Sequence, residues 1–249
     1  MRYFIHFSYD GTAYHGWQVQ PNANTVQAEL NRALSTILRT DVETTGAGRT
    51  DAGVHASHMV AHFDVPEIAD PAETCRRLAR LLPADIAVER IVPVPAGSHA
   101  RFDARARTYH YYIYTRKSPC LRHYAAHIPF TLDFAAMNEA ASCLFQQTDF
   151  TSFSKTHTDV KTNNCRVTSA HWVEVEDGLW RFEITADRFL RGMVRAIVGT
   201  LLDVGRGRLS VEDFRRVIER RDRSAASDSV PANALFLVDV SYDGCVFPS

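Results

Sequence analysis

The stretch from Gly46 to Ala56, GAGRTDAGVHA, holds an ionisable pair, Arg49 and Asp51, between glycines. Glycine permits φ above zero and lets a ligand or a second backbone approach closely. An ionised aspartate on such a loop can act as nucleophile or base without a cofactor. The same residues also fit a tight turn in which Asp51 caps a helix or bonds its own backbone. Taken alone, the stretch favours this simpler interpretation.

A dinucleotide-binding role for this loop can be rejected. GAGRTDAG nearly matches the dinucleotide fingerprint G-x-G-x-x-G, but Asp51 occupies the third glycine position. A carboxylate there would face the pyrophosphate, and no crossover helix follows. What remains is a carboxylate on a glycine-rich loop, which the guanidinium of the nearby Arg49 would keep ionised.

A second stretch, RFDARARTYHYYIY, combines arginines with aromatic residues. Arginines reach phosphates and aromatic rings stack on extruded bases, so the pattern suits RNA. Because Tyr109 directly follows the arginines, we expect it to face a substrate cleft. The arginines are Arg101, Arg105 and Arg107. The later tyrosines, which fit an ordinary core strand better, are Tyr111, Tyr112 and Tyr114.

Arg195 interrupts an apolar stretch, Phe189 to Gly207, that otherwise reads as a buried helix. A buried arginine needs a carboxylate partner. That partner is either an unspecified acid, in a structural ion pair, or Asp51. In the C-terminal stretch SVPANALFLVDVSYDG, Leu235 is consistent with ordinary core.

The composition is that of an ordinary globular protein, with 45% apolar and 23% charged residues. No apolar run approaches the roughly eighteen residues of a membrane span, and the N-terminus does not resemble a signal peptide. A net charge of −1 gives no global support for nucleic-acid binding. Attraction for phosphate must therefore come from local patches, such as residues 206–223 with seven arginines against four acids.

Cysteine and histidine usage argues against a metal site. The five cysteines are scattered and form no C-x-x-C pair, which disfavours a disulfide framework or zinc and fits a reducing cytosol. His55, His58 and His62 are close in sequence. Since their run HASHMVAHFDV reads as a strand, the three side chains need not converge on a metal.

Hydrophobic periodicity predicts strand, helix, strand, strand, helix, strand over residues 2–94, the split β-α-β order of a ferredoxin-like unit. A similar order follows after residues 95–105. We therefore predict an α+β protein with two ferredoxin-like halves, 1–104 and 105–249.

Three local predictions bear on the site. The first helix starts near Asn24 or Thr25, and Asn24 with Gln27 resembles a capping box. A helix covers Asp187 to Val204. Arg223 to Ser229, where Ser, Ala and Asp crowd, is the one stretch predicted to be disordered.

With these stretches in place, the chain resembles the tRNA pseudouridine synthase A family from Tyr3 to Tyr242. The motifs are, in chain order, GAGRTDAGVHA, HARFDARARTYHYYI, DFTSF, FLRGMVRAIVGTLLDVGRG and PANALFLVDVSY. Several separated matches in the right order are far more specific than one motif.

The resemblance implies a role for each site residue. Asp51 is implied to be catalytic, Tyr109 to stack on the target uracil, and Arg195 to pair with the catalytic carboxylate. Arg49 is implied to flip and position the nucleotide, and Leu235 to line the base pocket. The candidate RNA contacts are Arg101, Arg105, Arg107 and Arg191.

The chain departs from the usual family pattern at three places. It has Arg191-Gly192 where histidines are common, Ala196 in place of an asparagine, and Ala234 in place of a glycine. None of these departures removes a catalytic group. They bear on how Leu235 is presented and how the Phe189 to Val204 helix meets RNA.

The implied fold is a mixed, mostly antiparallel sheet of two ferredoxin-like halves, with helices packed on it and a cleft between the halves. The implied activity is a cofactor-free and metal-free isomerase that acts as a cytoplasmic homodimer. It converts uridine to pseudouridine at positions 38–40, on the 3′ side of the tRNA anticodon stem-loop. Two alternatives stay open: an RNA-binding module without catalysis, and a hydrolase that uses Asp51, His55 and His58.

Overall fold

The structure, a computed structural model, describes residues 1–155 and 162–244. Cys245 lies outside these residues. The described part of the chain contains nine strands and five α-helices, which confirms the predicted α+β class. The elements are β1 (Arg2–Tyr9), α1 (Val26–Leu38), β2 (Thr45–Gly46), β3 (His55–Asp64), α2 (Pro71–Leu81), β4 (Ile86–Val94), β5 (Ala104–Tyr114), β6 (Ala126–His127), α3 (Phe134–Ser142), β7 (Val167–Glu176), β8 (Leu179–Ala186), α4 (Met193–Gly205), α5 (Val211–Glu219) and β9 (Leu235–Tyr242).

The chain forms two compact units. The first contains residues 1–106 and the segment from Leu237 onward, and the second contains residues 107–236. The predicted halves, 1–104 and 105–249, place the closing segment in the second half instead. The difference arises because β9 lies beside β3, a strand of the first unit. Whether either half folds by itself stays a prediction.

The first unit has the strand order β4-β1-β3, with β2 on β3. β1 is antiparallel to β3 and to β4, with Ile5 opposite Ala61 and Ile91. This is the split β-α-β arrangement predicted for residues 2–94. Its core includes the fully buried rings of Phe4 and Phe7.

The second unit has the strand order β5-β8-β7, all antiparallel, while the short β6 runs parallel to β5. Gly178 turns the β7–β8 hairpin with φ +78°, as the Asp177-Gly178 pair predicted. α4 is buried along most of its length. Among the described residues, no helix is both long and apolar enough to cross a membrane.

α1 begins directly after the two predicted residues but with a different cap, whereas the predicted start of α4 is wrong. Thr25, not Asn24, caps α1 by accepting from the Ala28 amide, and the Gln27 side chain bonds the Thr44 carbonyl instead. α4 begins at Met193 rather than Asp187 because Gly192 adopts φ +73°, which ends any helix running through it.

The predicted disorder of Arg223 to Ser229 is also wrong. Residues Arg223–Ala225 form a 3₁₀ turn capped by the Asp222 side chain. Ser227 then donates its hydroxyl to Asp203 (2.7 Å) and its amide to the Thr200 hydroxyl (3.2 Å). The small polar residues that suggested disorder bond to α4 instead.

Candidate active site

The GAGRTDAGVHA loop leaves β2 and enters β3, so both of its ends are held by one strand pair. Thr45 lies opposite His62 and Gly46 opposite Ala61. The Ala47 amide then donates to the Val60 carbonyl at 2.8 Å. A Cβ at Gly46 would lie 2.6 Å from the indole nitrogen of Trp17, so this position excludes any side chain.

A second segment, Gly11 to Trp17, clamps the loop from the side. The Trp17 amide donates to the Thr50 carbonyl and the Gly53 amide to the Tyr14 carbonyl, both at 3.3 Å. The Thr50 hydroxyl lies 2.8 Å from the hydroxyl of the buried Tyr9. These contacts fix the backbone on both sides of Asp51.

Two glycines permit this close contact. A Cβ at Gly11 would lie 2.0 Å from the Val54 carbonyl oxygen, and one at Gly16 would lie 2.4 Å from the Thr50 carbonyl oxygen. Gly16 also has φ +88°. This support for the Asp51 loop was not predicted from the sequence, because it joins segments about forty positions apart.

Asp51 itself is half-buried, between the buried Thr50 and the exposed Ala52. Its carbonyl accepts from the Val54 amide at 3.2 Å, and Gly53 adopts φ +76°. The tight turn is therefore real, but it is followed by a strand, so Asp51 caps no helix. Arg49 is exposed on the same loop.

The three histidines after the loop do not form a metal site. His55 is buried, with Nδ1 3.0 Å from Asp10 Oδ1. His58 Nε2 lies 3.1 Å from His6 Nδ1, and His62 accepts from the Ala100 amide. Within the described ranges, no three His, Cys, Asp or Glu side chains are placed to hold a metal ion. That the chemistry needs no metal stays a prediction.

Tyr109 lies on β5 in the second unit, opposite Ile184 of β8. Its ring is buried and meets the ring of Phe189 edge to face, with 5.0 Å between centroids. Phe189 precedes α4, and sequence reasoning did not single it out. Its place beside Tyr109 follows from the early break at Gly192, which leaves residues 187–192 outside the helix.

The other tyrosines of the strand differ among themselves. Tyr111 and Tyr114 are buried, as predicted, but Tyr112 is only half-buried and packs against Phe236. The Tyr111 hydroxyl donates to the Pro231 carbonyl at 3.0 Å. Burial raises the pKa of Tyr111, and the positive charge of Arg195 opposes that rise.

Arg195 is half-buried near the start of α4. Its Nε donates to the Val230 carbonyl at 2.6 Å, and the Val230 amide donates back to the Arg195 carbonyl at 3.2 Å. The chain then passes Pro231 and a 3₁₀ turn, Ala232–Ala234, to Leu235. Leu235 is 6% exposed. The segment thus joins the contacts of Tyr111 and Arg195 to Leu235, whose role in lining a base pocket stays a prediction.

The four candidate RNA contacts fall into two groups. Arg101 and Arg191 are exposed, and Arg101 lies 5.9 Å from the ring centroid of Phe102, a phenylalanine that is 75% exposed. Arg105 pairs with Asp243 and Arg107 is buried, with Nη1 donating to the Asp187 carbonyl at 2.8 Å.

The site residues are thus divided between the units. Arg49 and Asp51 belong to the first unit, and Tyr109, Arg195 and Leu235 to the second. The pairing of Asp51 with Arg195 stays a prediction.

Comparison with known proteins identifies the class. A family model described as tRNA pseudouridine synthase matches residues 5–103 and 140–243, which include the Asp51 loop, α4 and β9. Proteins named tRNA pseudouridine synthase A are similar over nearly the whole chain. One from Bacteroides thetaiotaomicron is 60% identical over 248 residues, covering 99% of this chain and 92% of that protein.

More distant relatives keep the same coverage. The protein of that name from Porphyromonas gingivalis is 55% identical, with 99% of each chain covered. The one from Bacillus subtilis is 42% identical, with 98% of this chain and 100% of that protein covered. The chain therefore belongs to the tRNA pseudouridine synthase A family, and it is an isomerase. The resemblance stated from the motifs is confirmed.

Proposed function

We propose that this chain converts uridine to pseudouridine on the 3′ side of the tRNA anticodon stem-loop, with Asp51 as the catalytic residue. The observation that carries the proposal is the Asp51 loop. Hydrogen bonds to Thr50 and Gly53 and close glycine contacts hold this half-buried carboxylate in place. Such preorganisation is what a reacting group needs. The similarity of the whole chain to synthases of this name supports the substrate.

The reaction is balanced without a cofactor. The C1′–N1 bond breaks, the uracil turns, and a C1′–C5 bond forms. The C5 hydrogen leaves as a proton and N1 gains one, so no atom is lost from the nucleoside and no oxidation state changes. Three routes remain for the Asp51 carboxylate: attack on C1′, attack on C6, or removal of the 2′ proton to give a glycal.

The target base must leave its stack, which costs a few kcal/mol. Stacking on an aromatic ring recovers about 1–3 kcal/mol per base. We assign this contact to Tyr109, whose ring is held edge-on by Phe189. Leu235 would form an apolar wall that keeps the detached uracil from water.

The arginines differ in burial and in hydrogen bonding, and we propose their roles accordingly. Arg195 is held by two hydrogen bonds with Val230, which suits a residue that must orient the Asp51 carboxylate. The exposed Arg49 suits entry into the RNA stack, and the exposed Arg101 and Arg191 suit phosphate contacts. Arg107 is buried on the Asp187 carbonyl, so we propose that it positions the start of β5.

The hydrolase alternative loses its basis in the histidines. It would use His55 and His58 with Asp51, whereas the contacts of His55 with Asp10 and of His58 with His6 suit structural roles for these histidines. An RNA-binding module without catalysis would have no use for a carboxylate on so constrained a loop. We also propose that the protein is cytoplasmic and forms a homodimer. Sedimentation of the purified protein would test the dimer, and cell fractionation would test the location.

Release of tritium from C5 of uracil in tRNA tests the proposal, because only a synthase expels that hydrogen. We expect Asp51→Asn to lower the rate on the order of a thousandfold or more while tRNA binding survives. Asp41→Asn is the matched control, since Asp41 is exposed and lies outside the loop. Normal tritium release by Asp51→Asn would refute the assignment.

A further inference from the structure

The second unit carries an open cavity of about 440 Å³ that the proposed reaction does not use. Two of its lining residues are arginines, one is aromatic and none is acidic. The lining residues are Pro129, Phe130, Thr131, Arg206 and Arg208. The charge and shape of this cavity favour an anionic partner.

The arginine and the aromatic ring form a stacked pair. Arg206 follows α4 directly, and its guanidinium carbon lies 3.9 Å from the ring centroid of Phe130, a side chain that is 50% exposed. The Asp133 amide donates to the Gly205 carbonyl at 2.9 Å, which ties the Phe130 segment to the end of the helix. The pair is therefore built into the fold.

Arg208 completes the cavity from the other side of Gly207, whose φ of +69° turns the chain there. The Arg208 side chain is 63% exposed and lies 3.3 Å from Asp203. Asp203 also accepts from the Ser227 hydroxyl. The cavity lining itself carries two guanidinium groups and no carboxylate, so its own charge is positive.

One donor of Arg206 is left without a partner. Its Nε is shielded from solvent and has no hydrogen-bond partner among residues 1–155 and 162–244. A bound water or an anion ordinarily satisfies such a group. A guanidinium stacked on an aromatic ring also offers a flat surface with donors at its edge, which suits nucleotides and phosphate.

We propose that Phe130, Arg206 and Arg208 form a second RNA-contact site, which holds backbone phosphate of the tRNA. The inference rests on the proposed function, because it takes tRNA as the substrate. Arg195 and Arg206 are eleven positions apart along α4, which corresponds to about 16 Å of helix axis. The site therefore contacts a part of the RNA distinct from the target nucleotide.

The test measures binding and turnover of full-length tRNA by the whole protein. Arg206→Gln/Arg208→Gln should raise Kd and KM about tenfold and lower the slope of log Kd against log salt by about one to two. The kcat for tritium release should stay within about twofold. Arg208→Gln alone should give about a threefold rise in Kd, and this variant should fold normally because the Arg208 side chain is exposed.

Arg116→Gln is the matched control, because Arg116 is equally exposed and paired with one acid, Asp177, but lies outside the cavity. It should leave Kd and the salt slope unchanged. Unchanged Kd and slope in both cavity variants would overturn the inference, as would a fall in kcat with unchanged Kd.

Sedimentation and the activity of the unmodified protein complete the test. If the cavity variants change sedimentation but not tRNA affinity, the surface is a contact between copies of the chain and the inference is wrong. If the unmodified protein releases no tritium, the proposed function fails, whereas an unaltered salt slope in the variants refutes only the RNA-contact site.

Discussion

Tyr109 and Tyr111 lie two residues apart on the buried face of β5, yet their side chains serve different purposes. Tyr111 uses its hydroxyl, which donates to the Pro231 carbonyl. Tyr109 presents its ring to Phe189. A pair of phenylalanine substitutions therefore separates substrate stacking from structural hydrogen bonding on one strand.

For Tyr109 we expect the ring alone to do the stacking. Tyr109→Phe should keep most of the tritium-release activity. Tyr109→Ala should lose on the order of tenfold to a hundredfold, because stacking contributes about 1–3 kcal/mol per base. Rates at saturating tRNA measure both effects. A loss in Tyr109→Phe as complete as in Asp51→Asn would show that the hydroxyl has its own role.

For Tyr111 we expect a loss of stability. Tyr111→Phe removes the donor and leaves the Pro231 carbonyl without it, which should lower the free energy of unfolding by about 1–3 kcal/mol. Urea unfolding measures the change. Tyr114→Phe is the control, because Tyr114 is buried on the same strand and its hydroxyl has no hydrogen bond within the part of the chain that the structure describes. Equal effects in the two variants would contradict this account.

His6 should make the stability depend on pH. Burial, together with the charges of Arg90 and His58, lowers the pKa of His6 to about 3. Below its unfolded pKa of about 6.5, the unfolded chain binds a proton that the folded chain does not. This stability is present above about pH 6.5 and is lost as the pH falls toward 3.

Between pH 7 and pH 5 the loss from His6 should be about 1–2 kcal/mol, measured by urea unfolding at each pH. His6→Gln should remove this part of the pH dependence. Burial also lowers the pKa of His62, to about 4. The stability of His6→Gln should therefore still depend on pH, through a contribution of similar size from His62. An unchanged pH profile in His6→Gln would show that His6 is not the buried neutral group described.

At the scale of elements, the segment 227–231 packs along α4 and holds Arg195. A Cβ at Gly199 would lie 2.0 Å from the Asp228 carbonyl oxygen, so the segment and the helix are in direct backbone contact. Val230, two residues further on, makes both hydrogen bonds with Arg195. The position of the arginine thus depends on a glycine one turn along the helix.

We expect Gly199→Ala to push this segment away from α4. The free energy of unfolding should fall by about 2 kcal/mol or more, since backbone cannot move aside cheaply. Tritium release should fall as Arg195 loses its support. Gly97→Ala is the control, because a Cβ there meets nothing within 4 Å. Thermal unfolding of the two variants measures the change in stability, and the tritium-release assay measures the change in activity. A Gly199→Ala variant that is stable and fully active would contradict the packing described.

Element boundaries were predictable where a side chain marks them. Asp70 and Ser210 cap α2 and α5, because their side chains accept from amides three residues on, and both residue types are common helix caps. The start of α4 was missed because Gly192 acts through its backbone angle. The order around residues 223–229 was missed because it comes from contacts with a distant helix.

At the scale of the whole molecule, the order of several separated motifs predicted the family, whereas the chemistry of any single residue did not. Asp51, Tyr109 and Leu235 were chosen because separated motifs occurred in one order, and the family comparisons bear out that the chain belongs to the family those motifs indicated. Periodicity predicted the long strands of both units but not the two-residue β6. The Gly11 to Trp17 clamp and the Phe130 cavity were not predictable, because each joins segments that no local pattern connects.

The place of β9 has a consequence for biosynthesis. β3 acquires this neighbour only from the last residues of the chain, although β3 itself is made early. During translation, the part of this β3 edge that the short β2 does not pair therefore stays uncovered until the whole second unit has been made. An uncovered strand edge is a template for wrong pairing. A nascent chain that stalls before Leu237 would keep this edge uncovered. Synthesis of the first unit therefore begins before that of the second unit and ends after it.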